Sequence, residues 1–235
     1  GLGIDDGFTA VGSGSQTVSV VADPDGGIDL GTHLFATAGS PASGWYRIGA
    51  VQNSGIALGR ALQWLDASVE QANNALEGGV RSNDPIFVPY VAGERTPFVD
   101  ASLRGAWLGL GLDTDREAML RSVVEGVAHA VALGMQAVVD AGAHLPEPLP
   151  LIGGGTVDPR FRQLIADCAQ RPLQPTDEPD AAAVGAAFLA MPGVVAGSMA
   201  SNTRGGDRVV QPDSANAAML TERRERLVDY VRSRN

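Results

Sequence analysis

The sequence predicts an α/β domain. Segments rich in β-branched residues alternate along the chain with segments whose apolar residues recur at helical spacing. The chain has 235 residues, of which 44% are hydrophobic and 19% are charged. This balance is typical of a soluble globular protein with a substantial buried core.

The N-terminal segments predict three strands. Residues 9–21, TAVGSGSQTVSVV, indicate two strands joined by a tight Gly/Ser turn. The turn DPDGGID at residues 23–29 then leads to a third strand near residues 34–37. Its aspartates lack the spacing and the closing glutamate of an EF-hand, so no calcium site is predicted there.

The segment QNSGIALGRALQWLDA predicts a helix with Ser54 as its N-cap. Gly59 lies inside this helix, where glycine costs about 1 kcal/mol relative to alanine. A glycine at such a position indicates that something else needs the space. The predicted apolar face consists of Ile56, Leu58, Leu62 and Leu65.

The middle of the chain predicts a strand, a loop and a long helix. PIFVPYVAGERTPFVD reads as a short buried strand followed by a loop with several prolines. The GERTP part of this loop is either substrate-facing or structural; a structural role is favoured, with Glu94 and Arg95 as an internal ion pair. TDRE at residues 114–117 predicts a capping box that opens a helix ending near Gly142.

The stretch LIGGGTVDPRFRQLIAD predicts a strand, a glycine turn and a capped helix. The strand covers residues 149–152, and Asp158 is the expected N-cap, with Pro159 as the first helical residue. The helix is expected to end near Gln170, followed by a short strand at residues 172–174.

The remaining residues predict two further helices. We expect an alanine-rich helix over residues 181–191, with Gly185 as a packing glycine, and then a polar loop over residues 197–215. A final amphipathic helix is predicted over residues 217–232, with the arginines of RRER at 223–226 on its solvated face.

Charge and cysteine content exclude several classes of protein. The net charge is −10 and RRER is the only basic cluster, which argues against a nucleic-acid partner. No apolar run approaches the roughly 20 residues of a membrane span, so no membrane partner is expected. The single cysteine, Cys168, cannot form an internal disulfide and favours a cytoplasmic location. The three histidines lack metal-ligand spacing, so no metal ligand is assigned in this chain.

The absence of lysine restricts the chemistry further. All 17 basic residues are arginines, which excludes a P-loop and a Schiff-base enzyme. Phosphate would have to be held by backbone N–H groups, hydroxyls, arginine or a metal ion. GSGSQ is neither a nucleophile elbow nor a dinucleotide fingerprint, because Gly14 and Thr17 occupy the deciding positions.

Three glycine features nevertheless share one theme. They are the Gly/Ser hairpin, the glycine within a helix and the triple glycine before a capped helix. Each alone is explained as well by turn geometry. Together they indicate a nucleotide held between two glycine-rich backbones.

Six ordered segments make the sequence similar to a known family. GSGSQTVSVV, GRALQWL, FVPYVAGERTPFVDASLRGAWLGL, EGVAHAV, IGGGTVDPRFRQLIADCAQRPL and DAAAVGAAFLA resemble, in order and spacing, the C-terminal half of FGGY-family carbohydrate kinases. The resemblance covers about residues 1–195 and is closest to the xylulokinase branch.

The resemblance implies a ribonuclease H-like domain of the actin/hexokinase type, with a mixed sheet flanked by helices. It also implies ATP- and Mg²⁺-dependent phosphorylation of a sugar hydroxyl, with xylulose or a related ketopentose as the expected substrate. Residues 1–235 would form the nucleotide-binding half. An N-terminal domain of the same protein would supply the metal ligands and most sugar contacts.

Family positions can be carried over residue by residue. Ser13 stands where the family has the hydroxyl residue of its phosphate loop, and the glycine turn stands where the family binds adenosine. Gln16 falls where some relatives have a sugar-pocket residue, which makes it the substrate-binding candidate. The resemblance thus implies ATP contacts at Gly12, Ser13, Gly14, Gly59, Gln63, Gly153, Gly154, Gly155 and Asp158.

The catalytic residue is the point of departure. The family's aspartate base belongs to a segment whose end matches residues 1–3, so it is expected upstream of Gly1. Asp5 and Asp6 lie too close to the hairpin to replace it. We therefore expect this chain alone to be inactive. The alternative is a non-catalytic actin-like module that binds ATP for assembly or regulation, and the C-terminal helix is compatible with a homodimer.

Overall fold

The computed structural model describes residues 4–23, 31–36, 44–176 and 209–234, together with residues 183, 186 and 190. Eight strands lie in these ranges, in two sheets. They are β1 (Gly7–Val11), β2 (Ser15–Val21), β3 (His33–Ala36), β4 (Trp45–Val51), β5 (Ile86–Val88), β6 (Ala106–Leu108), β7 (Leu149–Ile152) and β8 (Leu173–Pro175).

Five described helices accompany the strands. They are α1 (Gly55–Trp64), α2 (Val69–Ala75), α3 (Arg116–Asp140), α4 (Pro159–Ala169) and α5 (Ala217–Arg232). The predicted helix over residues 181–191 lies outside the described residues except at three positions, and Gly185 is among those outside. Most of the predicted polar loop and of the DPDGGID turn also lie outside the described residues.

The main sheet is mixed. Its six strands follow the order β3-β4-β2-β1-β7-β8, and β5 pairs with β6 in a separate two-stranded sheet. The β1–β2, β2–β4 and β3–β4 pairs are antiparallel, whereas β1–β7 and β7–β8 are parallel. A parallel pair needs a crossover between its strands, and α4 provides the crossover between β7 and β8.

Helix α3 forms the centre of the core. It is the one described helix that is long and apolar enough to span a membrane by composition, but 83% of its most apolar window is buried inside the fold. Gly49 of β4 has no room for a side chain, because a Cβ would lie 2.6 Å from the carbonyl oxygen of Gly134 on α3. The sheet and α3 therefore pack backbone against backbone at this crossing.

Several local predictions were wrong. Helix α3 begins one residue later than the predicted capping box requires, because Asp115 is its N-cap and accepts from the Ala118 amide. The Thr114 hydroxyl instead accepts from the Gly111 amide at 2.9 Å. In α1 the buried residues are Ala57, Ala61 and Leu62, while Ile56, predicted to be part of the apolar face, is 52% exposed.

Candidate functional site

The Gly/Ser hairpin joins β1 to β2 as an antiparallel pair, in the strand–turn–strand order that the sequence predicts. Val11 pairs with Ser15, and the Gly12 amide donates to the Gly14 carbonyl oxygen at 2.8 Å. Gly12 and Ser13 are exposed at the tip. The Ser13 hydroxyl makes no hydrogen bond to another described residue, so it is available to a ligand.

The N-terminus of α1 packs directly against this hairpin. The Gly55 amide donates to the Gly12 carbonyl oxygen at 3.0 Å, and the Ile56 amide donates to the Ser13 carbonyl oxygen at 2.9 Å. Ser54 is the N-cap, as predicted, but its side chain makes no capping hydrogen bond. Two of the free amides at the start of α1 are thus used to hold the hairpin and are not left for an anion.

The glycine turn after β7 packs against the other side of the same hairpin. Ala10 pairs with Ile152, and Gly153 has φ = 104°, a conformation that favours glycine. A Cβ at Gly153 would also lie 2.4 Å from the Val11 carbonyl oxygen. The hairpin, the start of α1 and the glycine turn therefore converge at the end of β1.

Gly59 and Gly154 differ from the glycines that pack closely. Both are exposed, and a Cβ at either position would meet no other part of the described chain within 4 Å. Neither has a positive φ that would require glycine. Packing within the described chain therefore gives no reason for glycine at these two positions. At position 59 the glycine even weakens the helix that contains it.

A groove runs along the exposed side of α1. Its volume is about 600 Å³, and Gly59, Gln63 and Trp64 form one wall. Arg60, also in α1, and Arg104, from the loop before β6, add positive charge to the lining. Gln63 is exposed, so its amide is accessible from this groove.

Asp158 is engaged by its own helix. It caps α4 by accepting from the Arg160 amide at 2.9 Å, and the Arg160 guanidinium donates to both carboxylate oxygens at 3.1 and 2.8 Å. The hydrogen bonds from Arg160 hold the pKa of Asp158 below its ordinary value. Arg160, which the sequence did not single out, also donates to Asn74 in α2 and to Glu77 just after α2, each at 2.9 Å.

Gln16 and the two N-terminal aspartates lie in different parts of the β1–β2 ribbon. Gln16 is exposed on the face opposite Ser15 and Thr17, just after the hairpin. The Asp5 amide and the Asp6 carbonyl pair with Val20, at the far end of the ribbon. The two aspartates therefore lie at the opposite end of the ribbon from the Gly/Ser turn, and not beside it as expected from the sequence.

The prediction of an ion pair between Glu94 and Arg95 is wrong. Glu94 is 2% exposed, and its carboxylate accepts from the Arg95 backbone amide, while the Arg95 side chain is exposed. The same carboxylate accepts from the backbone amides of Gln52 and Asn53 in the turn between β4 and α1. Only the fold brings these segments together, so no local pattern in the sequence indicates this contact.

The described part of the chain holds no group of three His, Cys, Asp or Glu residues that could bind a metal ion. His129 is buried beside Glu125, with Nε2 3.2 Å from a carboxylate oxygen. His33 and His144 are exposed. Cys168 is a buried free thiol.

The fold of this chain and its similarity to known proteins identify the family to which it belongs. The mixed sheet flanked by helices is an actin/hexokinase-like ATPase fold, which confirms the predicted fold class. The family model of the C-terminal domain of FGGY carbohydrate kinases matches residues 36–193. The chain belongs to the FGGY family of carbohydrate kinases, and the resemblance found in the sequence is confirmed.

Several relatives are xylulose kinases. The xylulose kinase of Staphylococcus epidermidis is 30% identical over 173 residues, covering 71% of this chain and 34% of the relative. That of Escherichia coli is 37% identical over 128 residues, covering 54% of this chain and 25% of the relative.

Solved structures show the same relationship. A xyloylose kinase from Brucella ovis superimposes with a TM-score of 0.84 and 26% identity, covering 99% of this chain and 48% of that structure. A ligand-bound xylulose kinase from Lactobacillus acidophilus matches with a TM-score of 0.82 and 23% identity, covering 97% and 47%. This chain thus spans about half the length of these solved relatives.

Proposed function

We propose that this chain is the ATP-binding half of a carbohydrate kinase that phosphorylates a hydroxyl of xylulose or a related ketopentose. The observation that carries the proposal is the pair of open glycines, Gly59 and Gly154, beside the exposed Gly/Ser hairpin. A nucleotide lying along these positions explains why no side chain is present at either of them. Membership of the family supports the reaction class, and the xylulose kinases among the relatives support the sugar.

The hairpin is the proposed phosphate-binding element. The Ser13 and Gly14 amides and the Ser13 hydroxyl are donors without an acceptor among the described residues, at an exposed tip whose backbone is fixed by Gly55 and Ile56. Donors held in place before the ligand arrives stabilise developing charge without further reorganisation. The open turn at Gly154 would then lie under the adenosine, and Gly59 and Gln63 would lie against the nucleotide from α1.

Asp158 is proposed to contribute at the adenosine end. Its carboxylate is held by Arg160, and its side chain is 21% exposed. Gln16 remains the candidate for a sugar contact, because it is exposed beyond the hairpin.

The proposed reaction needs groups from an N-terminal domain. An aspartate there would accept the proton of the sugar hydroxyl as its oxygen bonds to the γ-phosphorus. The bond from this phosphorus to the β–γ bridging oxygen would break, and ADP would leave with the electron pair. Mg²⁺, held by ligands of that domain, would neutralise charge on the transferred group. The role of this chain is to bind and orient the nucleotide.

Nucleotide binding by glycine variants of the full-length protein tests the proposal. Gly59→Val and Gly154→Val are each expected to weaken ATP and ADP binding by about tenfold or more, because the new side chain enters the ligand space. Circular dichroism and thermal unfolding should show an intact fold, since a Cβ at either position meets no other part of the described chain within 4 Å. Ala218→Val, which adds the same side chain to an exposed position of α5, is the matched control.

The sugar is tested by ADP release over a panel of ketoses, polyols and aldoses. Activity with xylulose or another ketopentose, and weaker activity with glycerol, supports the proposed substrate class. Unchanged nucleotide affinity in both glycine variants would refute the nucleotide site. ATP binding without phosphorylation of any sugar would favour the non-catalytic actin-like module.

A further inference from the structure

A buried carboxylate lies beneath the turn that connects β4 to α1. The Glu94 Oε1 atom accepts from the Gln52 amide at 2.7 Å and from the Arg95 amide at 2.8 Å. Its Oε2 atom accepts from the Asn53 amide at 3.3 Å and from the Asn53 side-chain Nδ2 at 3.0 Å. Every partner of this carboxylate is an N–H donor, and no ion pair involves Glu94 among the described residues.

Asn53 completes the connection between the turn and the loop that contains Glu94. Its side chain is fully buried, and its Oδ1 accepts from the Ala92 amide at 3.2 Å. Its Nδ2 donates to the Gly93 carbonyl oxygen as well as to Glu94. The turn is thus fixed by hydrogen bonds to three consecutive loop residues.

The phosphate-binding hairpin rests on this turn. A Cβ at Gly14 would lie 2.6 Å from the Val51 carbonyl oxygen and 3.6 Å from the Gln52 Cα, so the two backbones are in direct contact. Immediately after the turn, Gly55 and Ile56 donate to the carbonyl oxygens of the hairpin. A displacement of residues 52–53 would therefore move the hairpin through the contact at Gly14 and through the hydrogen bonds from Gly55 and Ile56.

The hydrogen bonds that Glu94 accepts require a carboxylate. A glutamine has the same shape, but one of its two acceptor oxygens is replaced by an NH₂ group. In either orientation, that NH₂ group would face two N–H donors. Burial raises the pKa of Glu94, although the hydrogen bonds from Gln52 and Asn53 oppose this effect.

We propose that Glu94 is a positioning residue for the phosphate-binding hairpin, acting through the amides of Gln52 and Asn53. By fixing the turn under Gly14, it sets how the hairpin amides and the Ser13 hydroxyl meet the nucleotide phosphates. This inference rests on the proposed function, because it assigns a ligand to the hairpin.

The test compares ADP with adenosine in the full-length protein. Glu94→Gln is expected to weaken ADP binding by about tenfold, since it removes hydrogen bonds to a charged group that supports the phosphate site. Adenosine binding, measured by competition against a fluorescent ADP analogue, should change by less than about twofold. If Glu94 served only overall folding, its substitution would weaken the binding of ADP and of adenosine to the same extent.

Thr96→Val is the matched control. Thr96 is fully buried in the same loop, where its hydroxyl accepts from the Ala50 amide at 2.8 Å and donates to the Gly31 carbonyl oxygen. The valine variant also loses buried hydrogen bonds, but none of them holds the turn. It should lower stability and leave the ratio of ADP to adenosine affinity unchanged.

The possible outcomes distinguish a failure of this inference from a failure of the proposed function. An equal loss of ADP and adenosine binding in Glu94→Gln, or no loss of either, would overturn the inference while leaving nucleotide binding intact. A wild-type protein that binds neither ligand would instead refute the proposed function and the inference with it. If Glu94→Gln does not fold, Asn53→Ser, which keeps the carboxylate and removes the Nδ2 donor, should show the same selective loss of ADP binding.

Discussion

Arg223 and Glu125 form a buried, two-pronged ion pair that joins α5 to α3. The Arg223 Nε donates to Glu125 Oε1 at 2.6 Å, and Nη2 donates to Oε2 at 2.7 Å. The exposed fractions of the two side chains are 2% and 1%. The remaining donors of Arg223 reach the carbonyl oxygens of Ser82, Asp84 and Pro85 just before β5. The prediction that all arginines of RRER lie on a solvated face was therefore wrong for Arg223.

Loss of Arg223 should strongly destabilise the fold. Arg223→Met is expected to lower the free energy of unfolding by about 3–5 kcal/mol, because it leaves the Glu125 charge buried with one partner removed. Arg226→Met, at an exposed position of the same helix, should change it by less than about 0.5 kcal/mol. Urea unfolding followed by circular dichroism measures both values. Equal effects of the two substitutions would contradict the role of the ion pair.

Glu125 should also make stability depend on pH in the acid range. Burial raises the pKa of its carboxyl, but the hydrogen bonds from His129 and Arg223 outweigh burial and hold the pKa below its ordinary value. The folded protein thus favours the ionised form. The resulting stabilisation is fully present above the ordinary glutamate pKa and is lost as the pH falls through the lower, folded-state pKa.

Glu125→Gln provides the measurement for this dependence. Its free energy of unfolding should lie well below that of the wild type at neutral pH, and the difference should narrow as the solution is acidified. Glu222→Gln, at an exposed position of α5, is the control and should follow the wild type throughout. A difference between Glu125→Gln and the wild type that stays constant from pH 7 to the unfolding limit would argue against this assignment.

The sequence predicted elements whose signals are local. The β1–β2 hairpin, the strand Leu149–Ile152 and the final helix Ala217–Arg232 lie where strand alternation, turn residues and helical periodicity indicate. It missed β4, in which Arg47 is 2% exposed, because a buried arginine interrupts the hydropathy of the strand. It also missed α2, a short polar helix whose buried apolar residues are only alanines.

The candidate site could be predicted only in part, because several of its features depend on how distant parts of the chain meet. A glycine inside α1 is visible in the sequence, but the empty space beside Gly59 is a property of the fold. The contact of Gly153 with Val11 joins residues that are distant in the chain, so the sequence indicates a turn without showing what it packs on. In the sequence, adjacency alone suggests Arg95 as the partner of Glu94, whereas in the folded chain the Glu94 carboxylate accepts from the amides of residues 52–53.

Alanine at Gly59 and at Gly153 should have opposite effects on stability. Gly59→Ala is expected to stabilise the fold by about 0.5–1 kcal/mol, because alanine favours the helix and its Cβ meets nothing else among the described residues. Gly153→Ala should destabilise it by about 1–3 kcal/mol, because of the positive φ and the contact with the Val11 carbonyl oxygen. Thermal unfolding of the two variants distinguishes them. A destabilised Gly59→Ala would show that the open space beside α1 is filled by the protein itself.

Ser13 should affect the binding of phosphate-bearing ligands and not the fold. Its side chain is exposed at the hairpin tip and has no partner among the described residues, so Ser13→Ala should change the free energy of unfolding by less than about 0.5 kcal/mol. If the hydroxyl donates to a phosphate, the same change should weaken ADP binding by about tenfold, while Ser13→Thr, which retains a hydroxyl, should keep most of the affinity. Calorimetric titration of the three proteins with ADP gives these values. Equal ADP affinity in the alanine and threonine variants would show that the hairpin binds phosphate through its backbone amides alone, or does not bind it.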